Sequence, residues 1–341
     1  MILTRSPYYY RVALDQYSTS VVFAMSIRYS TTTSTQKLAK YTVNKQVPSN
    51  KPTHTWIDIS QFVKDLFVHG PIDLSQYSIP TVIPSREMAL LSMTASVKNS
   101  LNSVPSSVQD TFRCVDGQGY YIEGQNFEPS KRILLSHNEY RADENGYFIV
   151  PLRVIDGTEP VILDGNSISV NYTANDFNYI KYLIIPLGPR AALNVEVEYA
   201  GETIFIERVD ECKYDAKVVQ FINRFGAMEL MHFMKSKRDT LSIESSTFKN
   251  AYTDGLQYAI QRHQYKQYNK MSRRKTKIES GYLNEAYNAT VQELLESEHV
   301  WIDGRPINVD TSSLEIKTKE VEKLISYSID FEYAFDEINN V

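Results

Sequence analysis

The sequence predicts a mainly β protein, built as two or three small antiparallel β-sandwich-like domains with two short helices. Three observations carry that prediction. Apolar and polar residues alternate in several stretches, most strictly near the C-terminal end. Asp-Gly, Asn-Gly and Ala-Gly pairs punctuate short apolar runs through the middle third. Tyrosine is abundant, 24 copies against 14 phenylalanines, and it suits a pleated surface where the ring packs and the hydroxyl stays wet. A chain of 341 residues exceeds what one hydrophobic core usually serves, and its 42% apolar content is enough for several. The expected division is an N-terminal β domain with one short helix (1–108), a middle β sandwich (109–207) and a C-terminal β-rich domain with one helix (208–341).

In VVFAMSIRY, Phe23, Met25, Ile27 and Tyr29 fall on one face of an alternating strand. The Ser/Thr/Lys-rich stretch from Ser30 to His54 is too polar to supply core and reads as an exposed hairpin or loop. WIDISQFVKDLF then sets Ile59, Phe62, Val63 and Leu66 at helical spacing behind Asp58, a residue suited to an N-cap, so a short helix is expected. Residues 103–109 are rich in Ser, Pro and Val, and DGQGYY, ENGYF, LDGN and YAGE beyond them supply glycines that accept positive φ in tight turns. LNVEVEYAGETIFIERV is the clearest hairpin, with Val195, Val197 and Tyr199 answering Ile204 and Ile206.

KVVQFINRFGAMELMHFMK is apolar on both faces and predicts two strands about a Phe-Gly turn, the central hairpin of the last domain. NEAYNATVQELLESE places Val291, Leu294 and Leu295 on one helical face and acidic residues on the other. In LISYSIDFEYAF, Ile325, Tyr327, Ile329, Phe331, Tyr333 and Phe335 alternate with polar or small residues, a period that only a strand has. WIDGRPINVD, Trp301 to Asp310, has two readings: the rim of a cleft with Trp301 as stacking platform and Asp303 as acid, or a hairpin turning at Asp303-Gly304. The Asp-Gly pair favours the hairpin, and Pro306 suggests an edge strand because proline cannot donate to a ladder.

The formal charge of -5 gives no global drive towards nucleic acid or an anionic membrane. Cys114 and Cys212 form no metal-ligating set, and nothing in their spacing supports a disulfide between them. MILTRSPYYY lacks a signal-peptide core, and no stretch approaches the roughly 20 apolar residues of a spanning helix. The expectation is a protein made in a cytoplasm, without a standard export signal or membrane span. Histidines 54, 69, 137, 232, 263 and 299 never occur at ligand spacing, and His232 in the apolar hairpin is expected in core or interface. GxSxG, HExxH, Walker and GxGxxG patterns are absent, and DGQG at 116–119 lacks the helix and lysine of a phosphate cradle, so it reads as a turn. No cofactor, metal or small-molecule substrate is expected.

Two places hold carboxylates beside tryptophan. Glycosidase carboxylates are brought to about 5–10 Å by the fold, so spacing does not exclude such a pair, and Asp58 near Trp56 and Asp303 near Trp301 are where it would lie. Capping and turn formation account for both aspartates as well. The sharpest charge feature is QRHQYKQYNKMSRRKTK, Gln261 to Lys277. Its Arg262, Lys266, Lys270, Arg273, Arg274, Lys275 and Lys277 suit a phosphate track with Tyr265 and Tyr268 stacking on bases. An exposed hairpin whose cations meet an acidic patch on a neighbouring subunit, or water, competes with that reading and is favoured in an acidic chain.

The succession DECKYDAKVVQFINRFGAMELMHFMKS, RHQYKQY, SGYLNEAYNATVQELLESEHVWIDGRPINV and TSSLEIKTKEVEKLISYSIDFEYAFDEINNV resembles a family of virion structural proteins of tailed bacteriophages, generally tail or baseplate components. RSPYYYRVAL and DGQGYYIEGQN look similar to the same family, so the resemblance spans most of the chain and is most specific in its C-terminal third. It carries no catalytic residue. What it implies is a non-enzymatic tail, baseplate or collar protein, assembled in the host cytoplasm into a symmetric ring in the manner of distal tail proteins and joined to other phage tail proteins. The residues agree: little cysteine, no signal, turn-rich β patterning and long polar hairpins. The ring interface is expected on two polar arms, through Lys37, Lys40 and Lys45 in the first and Arg262, Tyr265, Lys266, Tyr268, Arg273 and Arg274 in the second. These arms should be mobile in a monomer and ordered in an assembly. Trp301 is expected to pack against a domain or subunit neighbour. The alternative is a receptor- or glycan-binding module of the same virion, and a third reading is an enzyme acting on cell-surface polysaccharide through Asp58 or Asp303.

Overall fold

The computed structural model describes residues 1–30, 36–48, 50, 52–85, 88–100, 106–119, 129–155, 159–170, 180–188, 193–210, 213–250, 261, 263–311 and 325–337. The protein is mainly β, as the alternation predicts, and it forms two compact units. The first comprises 1–210, 220–231 and 286–297, and the second comprises 211–219, 232–285 and 298–341. The division expected after residue 108 falls inside a strand, and the one expected after residue 207 falls close to Asp210.

The first unit opens with β1 (Ile2–Leu3), β2 (Tyr9–Ala13), β3 (Ser18–Ser30), β4 (Gln36–Gln46), β5 (His54–Asp58), β6 (Thr81–Pro84), β7 (Met88–Asn99) and β8 (Ser106–Val115). One sheet has the order β1-β8-β7-β3-β4, with β1 parallel to β8 and the other pairs antiparallel. Period-two patterning decides which face is inward: Phe23 stands opposite Val43 on one side and Ala95 on the other. Val21, Phe23, Met25 and Ile27 pack with Leu91, Met93, Tyr10, Val12 and Ile57 in one buried cluster. The polar stretch after Ser30 supplies β4, an edge strand in register with β3 from Ser30↔Gln36 to Ser20↔Gln46, while residues 31–35 lie outside the described ones.

The helix expected behind Asp58 forms as two 3₁₀ turns, Ser60–Phe62 and Lys64–Leu66. Trp56 and Ile57 are drawn into pairing with Arg11 and Tyr10, and only a short stretch remains before Gly70-Pro71 breaks any helix. The apolar residues still face inward, since Ile59 and Val63 are fully buried.

The chain continues through β9 (Glu139–Asp143), β10 (Tyr147–Arg153), β11 (Val161–Leu163), β12 (Asn166–Ile168), β13 (Ile180–Pro186), β14 (Asn194–Tyr199) and β15 (Glu202–Val209). These make a three-stranded sheet, β10-β13-β6, and a five-stranded sheet, β12-β11-β14-β15-β9, in which β9 runs parallel to β15. The β14–β15 hairpin forms as expected, with Val195↔Ile206 and Val197↔Ile204, and Tyr199 stands opposite Glu202 next to the turn. Its turn places Ala200 at φ 50° and Gly201 at φ 81°, the left-handed pair that matches strand twist in a two-residue hairpin.

Next come β16 (Lys217–Ile222) and β17 (Met228–Phe233), whose connecting residues belong to the first unit, followed by β18 (Lys237–Lys249) and β19 (Tyr265–Leu283) in the second. Helix α1 (Tyr287–Glu296) returns to the first unit. It buries Val291 and Leu294 as its pattern predicts, but it also buries Glu293, which the amphipathic reading placed on the solvated face.

The second unit closes with β20 (Val300–Ile302), β21 (Arg305–Val309) and β22 (Ile325–Tyr333). Its strands lie in the order β20-β21-β22-β19-β18, all antiparallel. The turn between β20 and β21 is the expected one, with Asp303 at φ 49° and Gly304 at φ 76°. Pro306, however, is not on an edge strand, because β21 lies between β20 and β22. Proline is tolerated there because the ladder ends at that point: Ala334 N donates to Pro306 O at 3.1 Å, and Pro306 has no N–H to return. The strict alternation of β22 stops at the same place. Ile325, Tyr327, Ile329 and Phe331 are buried, whereas Phe335, expected on the apolar face, lies beyond the strand and is 73% exposed.

Candidate functional site

The second unit projects a two-stranded ribbon. β19 pairs with β22 only from Lys275 onward, so among the described strands its segment 265–274 pairs with β18 alone, while beyond β22 Glu337 N donates to Ser272 O at 2.8 Å. At about 3.3 Å per residue this ribbon is roughly 30 Å long. Every residue of β18 is exposed, including Leu241 at 52% and Ile243 at 61%. A β-bulge between Glu244 and Ser246 shifts the register, and beyond it Phe248 and Tyr268 meet edge to face at 5.5 Å, both still open to solvent. The tip thus carries apolar and aromatic surface together with Lys249, Lys266 and Lys270.

The base of the same ribbon accounts for the cations nearest the sheet. Arg273 pairs with Asp336 at 2.8 Å and Glu332 at 3.4 Å, Arg274 with Glu337 at 2.8 Å, Lys275 with Asp310 at 2.7 Å, and Lys277 with Asp330 at 3.4 Å. Carboxylates of the same chain therefore meet the basic run that invited a nucleic-acid reading. These exposed pairs add little stability individually. Of the candidate interface residues, Tyr265, Lys266 and Tyr268 lie on the ribbon, Arg273 and Arg274 at its ion-paired base, and Arg262 outside the described residues. Lys37 and Lys40 are exposed on the edge strand β4 of the first unit. Trp301 is 6% exposed, stands opposite Pro306 and stacks near His299.

A second exposed feature lies on the first unit. β2 and β5 form a two-stranded ribbon whose inner face buries Tyr10, Val12 and Ile57 and whose outer face carries Tyr9, Arg11, Ala13, His54 and Trp56. Trp56 is half exposed and directly opposite Arg11. Tyr9 meets its indole edge-on at 4.8 Å, and Lys45 Nζ sits 4.5 Å from the ring centroid while donating to Trp56 O at 2.8 Å. Asp58, weighed as an acid, has Oδ1 occupied by Tyr8 N, Ser60 N and Ser60 Oγ at 3.1, 3.1 and 2.7 Å. Asp303, its counterpart, forms its turn and pairs with Lys217 at 3.4 Å.

The interior of the first unit holds polar groups that spacing did not reveal. Glu229 on β17 is fully buried and accepts Tyr140 OH at 3.1 Å, Thr290 Oγ1 at 3.2 Å and Asn223 Nδ2 at 2.8 Å. Asn223 also donates to Leu134 O and accepts from Phe225 N and Ala227 N, so all four of its hydrogen-bonding positions are used. Burial pushes the Glu229 carboxyl up to about 8, the charge of Glu293 adds to this, and the three hydrogen bonds oppose it. Glu293 is also raised by burial, against its contacts with Ser136 and Arg224. His137, stacked on Tyr140 at 4.0 Å, is pushed down to about 4 by burial and the nearby Lys131 charge, so its ring is neutral. Glu229 is sealed from solvent. The network ties β9, the β16–β17 turn and α1 together.

A second polar node joins the N-terminal segment to residue 116. Asp116 takes Arg5 Nε and Nη2 at 2.8 and 2.9 Å and His69 Nε2 at 2.7 Å. Burial acts to raise this carboxyl, but the hydrogen bonds from Arg5 and His69 and their charges outweigh it and hold it well below the usual carboxylate range. The DGQG stretch, expected as a turn, bends at Asp116 and runs irregularly through Gly119. Gly117 is required there because a Cβ would lie 2.5 Å from Arg224 O, and Gln118 N donates to that same carbonyl at 2.7 Å. Cys114 is buried and outside any disulfide, with burial raising its thiol to about 12, and Cys212 lies outside the described residues.

The signal for Glu229 was present in the sequence as a lone carboxylate inside the apolar run GAMELMHFM. Its partners Tyr140 and Thr290 lie too far along the chain for spacing to identify. Among the described residues no helix is long and apolar enough to cross a membrane. The sequence matches no protein-family model and no curated protein.

Proposed function

We propose that the chain is a non-enzymatic virion structural protein of a tailed bacteriophage, a tail, baseplate or collar component that self-associates into a symmetric ring and joins neighbouring tail proteins. The β18–β19 ribbon carries this reading. A thirteen-residue strand exposed at every position offers apolar side chains together with a backbone edge that no described strand pairs, and a second copy is the occupant that would cover both. Heterologous contact, ribbon of one copy on a different surface of the next, closes into a ring when the rotation per copy divides a full turn. The sequence resemblance in the C-terminal third, which includes this ribbon, supports the same assignment, as does the mainly β architecture. Assembly would take place in the host cytoplasm and the product would reside in the virion tail.

Light scattering and negative-stain microscopy of the purified protein test this. The expected result is a discrete oligomer of ring shape, reduced to monomer when residues 243–270 are replaced by a short turn. A chain that stays monomeric at high concentration, or an oligomer indifferent to loss of the ribbon, overturns the proposal.

A further inference from the structure

A different surface, on the first unit, has the chemistry of a ligand site. The outer face of the β2–β5 ribbon forms an open trough of about 710 Å³ lined by Tyr9, Arg11, Ala13, His54 and Trp56. That volume is in the range of small-molecule sites. Because the strands alternate, the inner residues supply the packing and the outer ones are spared it: Thr55 and Ile57 are buried, while His54 and Trp56 are exposed. The indole is nonetheless held in place. Tyr9 packs against it at 79° and Lys45 Nζ lies over the ring, 4.5 Å from its centroid, held there by the hydrogen bond to Trp56 O, so little side-chain freedom is left to lose on binding and the exposed half of the indole is what a ligand would meet.

The charge of the trough selects its ligand. Arg11 lines it and Lys45 borders it, and no described lining residue is a carboxylate. A flat aromatic face favours the C–H face of a pyranose through dispersion and ring polarity, and a guanidinium directly across the ribbon favours a carboxylate in a paired geometry. We infer that this trough binds an acidic saccharide, with Trp56 as the stacking platform and Arg11 as the anchor of the sugar carboxylate. Ala13 leaves room beside His54, so the trough takes more than one ring.

Single-stranded nucleic acid would also use stacking and cations. It calls for a run of aromatic platforms along a continuous basic groove. Here one half-exposed indole, with Tyr9 packed against it, lines a short open trough on an acidic chain, which favours the saccharide.

The two tryptophans allow a direct test, because Trp56 is half exposed and Trp301 is buried. Trp emission of the full chain is followed during titration with trigalacturonic acid, 3′-sialyllactose, neutral maltotriose and a short oligothymidylate. The expected result is a saturable change with one of the two acidic sugars, which also distinguishes a uronic from a sialic source. It should weaken with salt, be absent with maltotriose, be lost in Trp56→Ala, and shift about tenfold to weaker binding in Arg11→Gln. Circular dichroism and the remaining Trp301 emission verify that both variants fold. No response to either acidic sugar, an undiminished response in Trp56→Ala as read by calorimetry, or equal or tighter binding of the oligothymidylate overturns the inference.

Discussion

The Tyr140 hydroxyl donates to Glu229 Oε1 at 3.1 Å, and both side chains are sealed from water. Burial raises the proton affinity of a carboxyl in that position, up to about 8, against the opposing hydrogen bonds. The folded protein therefore binds this proton more tightly than the unfolded chain does. The stabilisation is fully present below the ordinary glutamate value and is lost as pH rises through about 8, on the order of a few kcal/mol over that window. Urea unfolding between pH 5 and 9 should show that decline in the native sequence and a flatter profile in Glu229→Gln. Its amide can accept from Asn223 while donating to the two hydroxyls. An identical slope in both proteins would show that Glu229 does not carry the effect.

Asp116 has the opposite sign. Its carboxyl is held below the usual range, so it stabilises the fold above the ordinary aspartate value, and that contribution fades as pH falls through and below about 4. Asp116→Asn leaves Arg5, 10% exposed, without its counter-charge, a change expected to cost about 3–5 kcal/mol at neutral pH. Thermal melts at pH 7 and pH 3 check this, since the gap between variant and native protein should shrink at the lower value.

Gly117→Ala should destabilise by about 2 kcal/mol or more, because the new methyl would overlap Arg224 O and Gly226 N, both backbone atoms that cannot move independently. Gly70→Ala is the control, with nothing within 4 Å of its added Cβ, and should stay within about 0.5 kcal/mol. Denaturant midpoints of the two variants measured side by side decide the point.

On the ribbon, Leu241→Ser combined with Ile243→Ser should leave the monomer's stability within about 1 kcal/mol, since both side chains are exposed. The same pair of changes should shift the mass distribution towards monomer if the ribbon mediates self-association. Urea midpoints and light scattering on one sample separate these two effects.

Local features were legible and distant ones were not. The register of Val195 and Val197 against Ile206 and Ile204 follows from a period of two hinged on an Ala-Gly turn, all within one short stretch. The buried faces of β3 and β22 follow from the same period. The pairing of Ile2 and Leu3 with Cys114 and Val115 has no local signature, because two residues are too few to show a period and the partner lies more than a hundred positions away. Glu293 was placed on the wrong face because helix patterning assumes that carboxylates stay wet, and this one turns inward to meet Arg224 at 3.3 Å. Trp56 stood out in the sequence, but Arg11 became its partner only through the β2–β5 register.

The membership of α1 in the first unit bears on the order of events during synthesis. Thr290 and Tyr287 are translated after most of the second unit's residues, yet they complete contacts with Glu229 and Arg141 in the first. Until the ribosome has passed α1, Thr290 cannot reach Glu229, and the backbone N–H of Arg141 lacks the tyrosine oxygen it donates to. A nascent chain halted after Asp210 would also lack Glu229 and Asn223, so the first unit cannot mature in the N-to-C direction. Its interior closes only once α1 has been made.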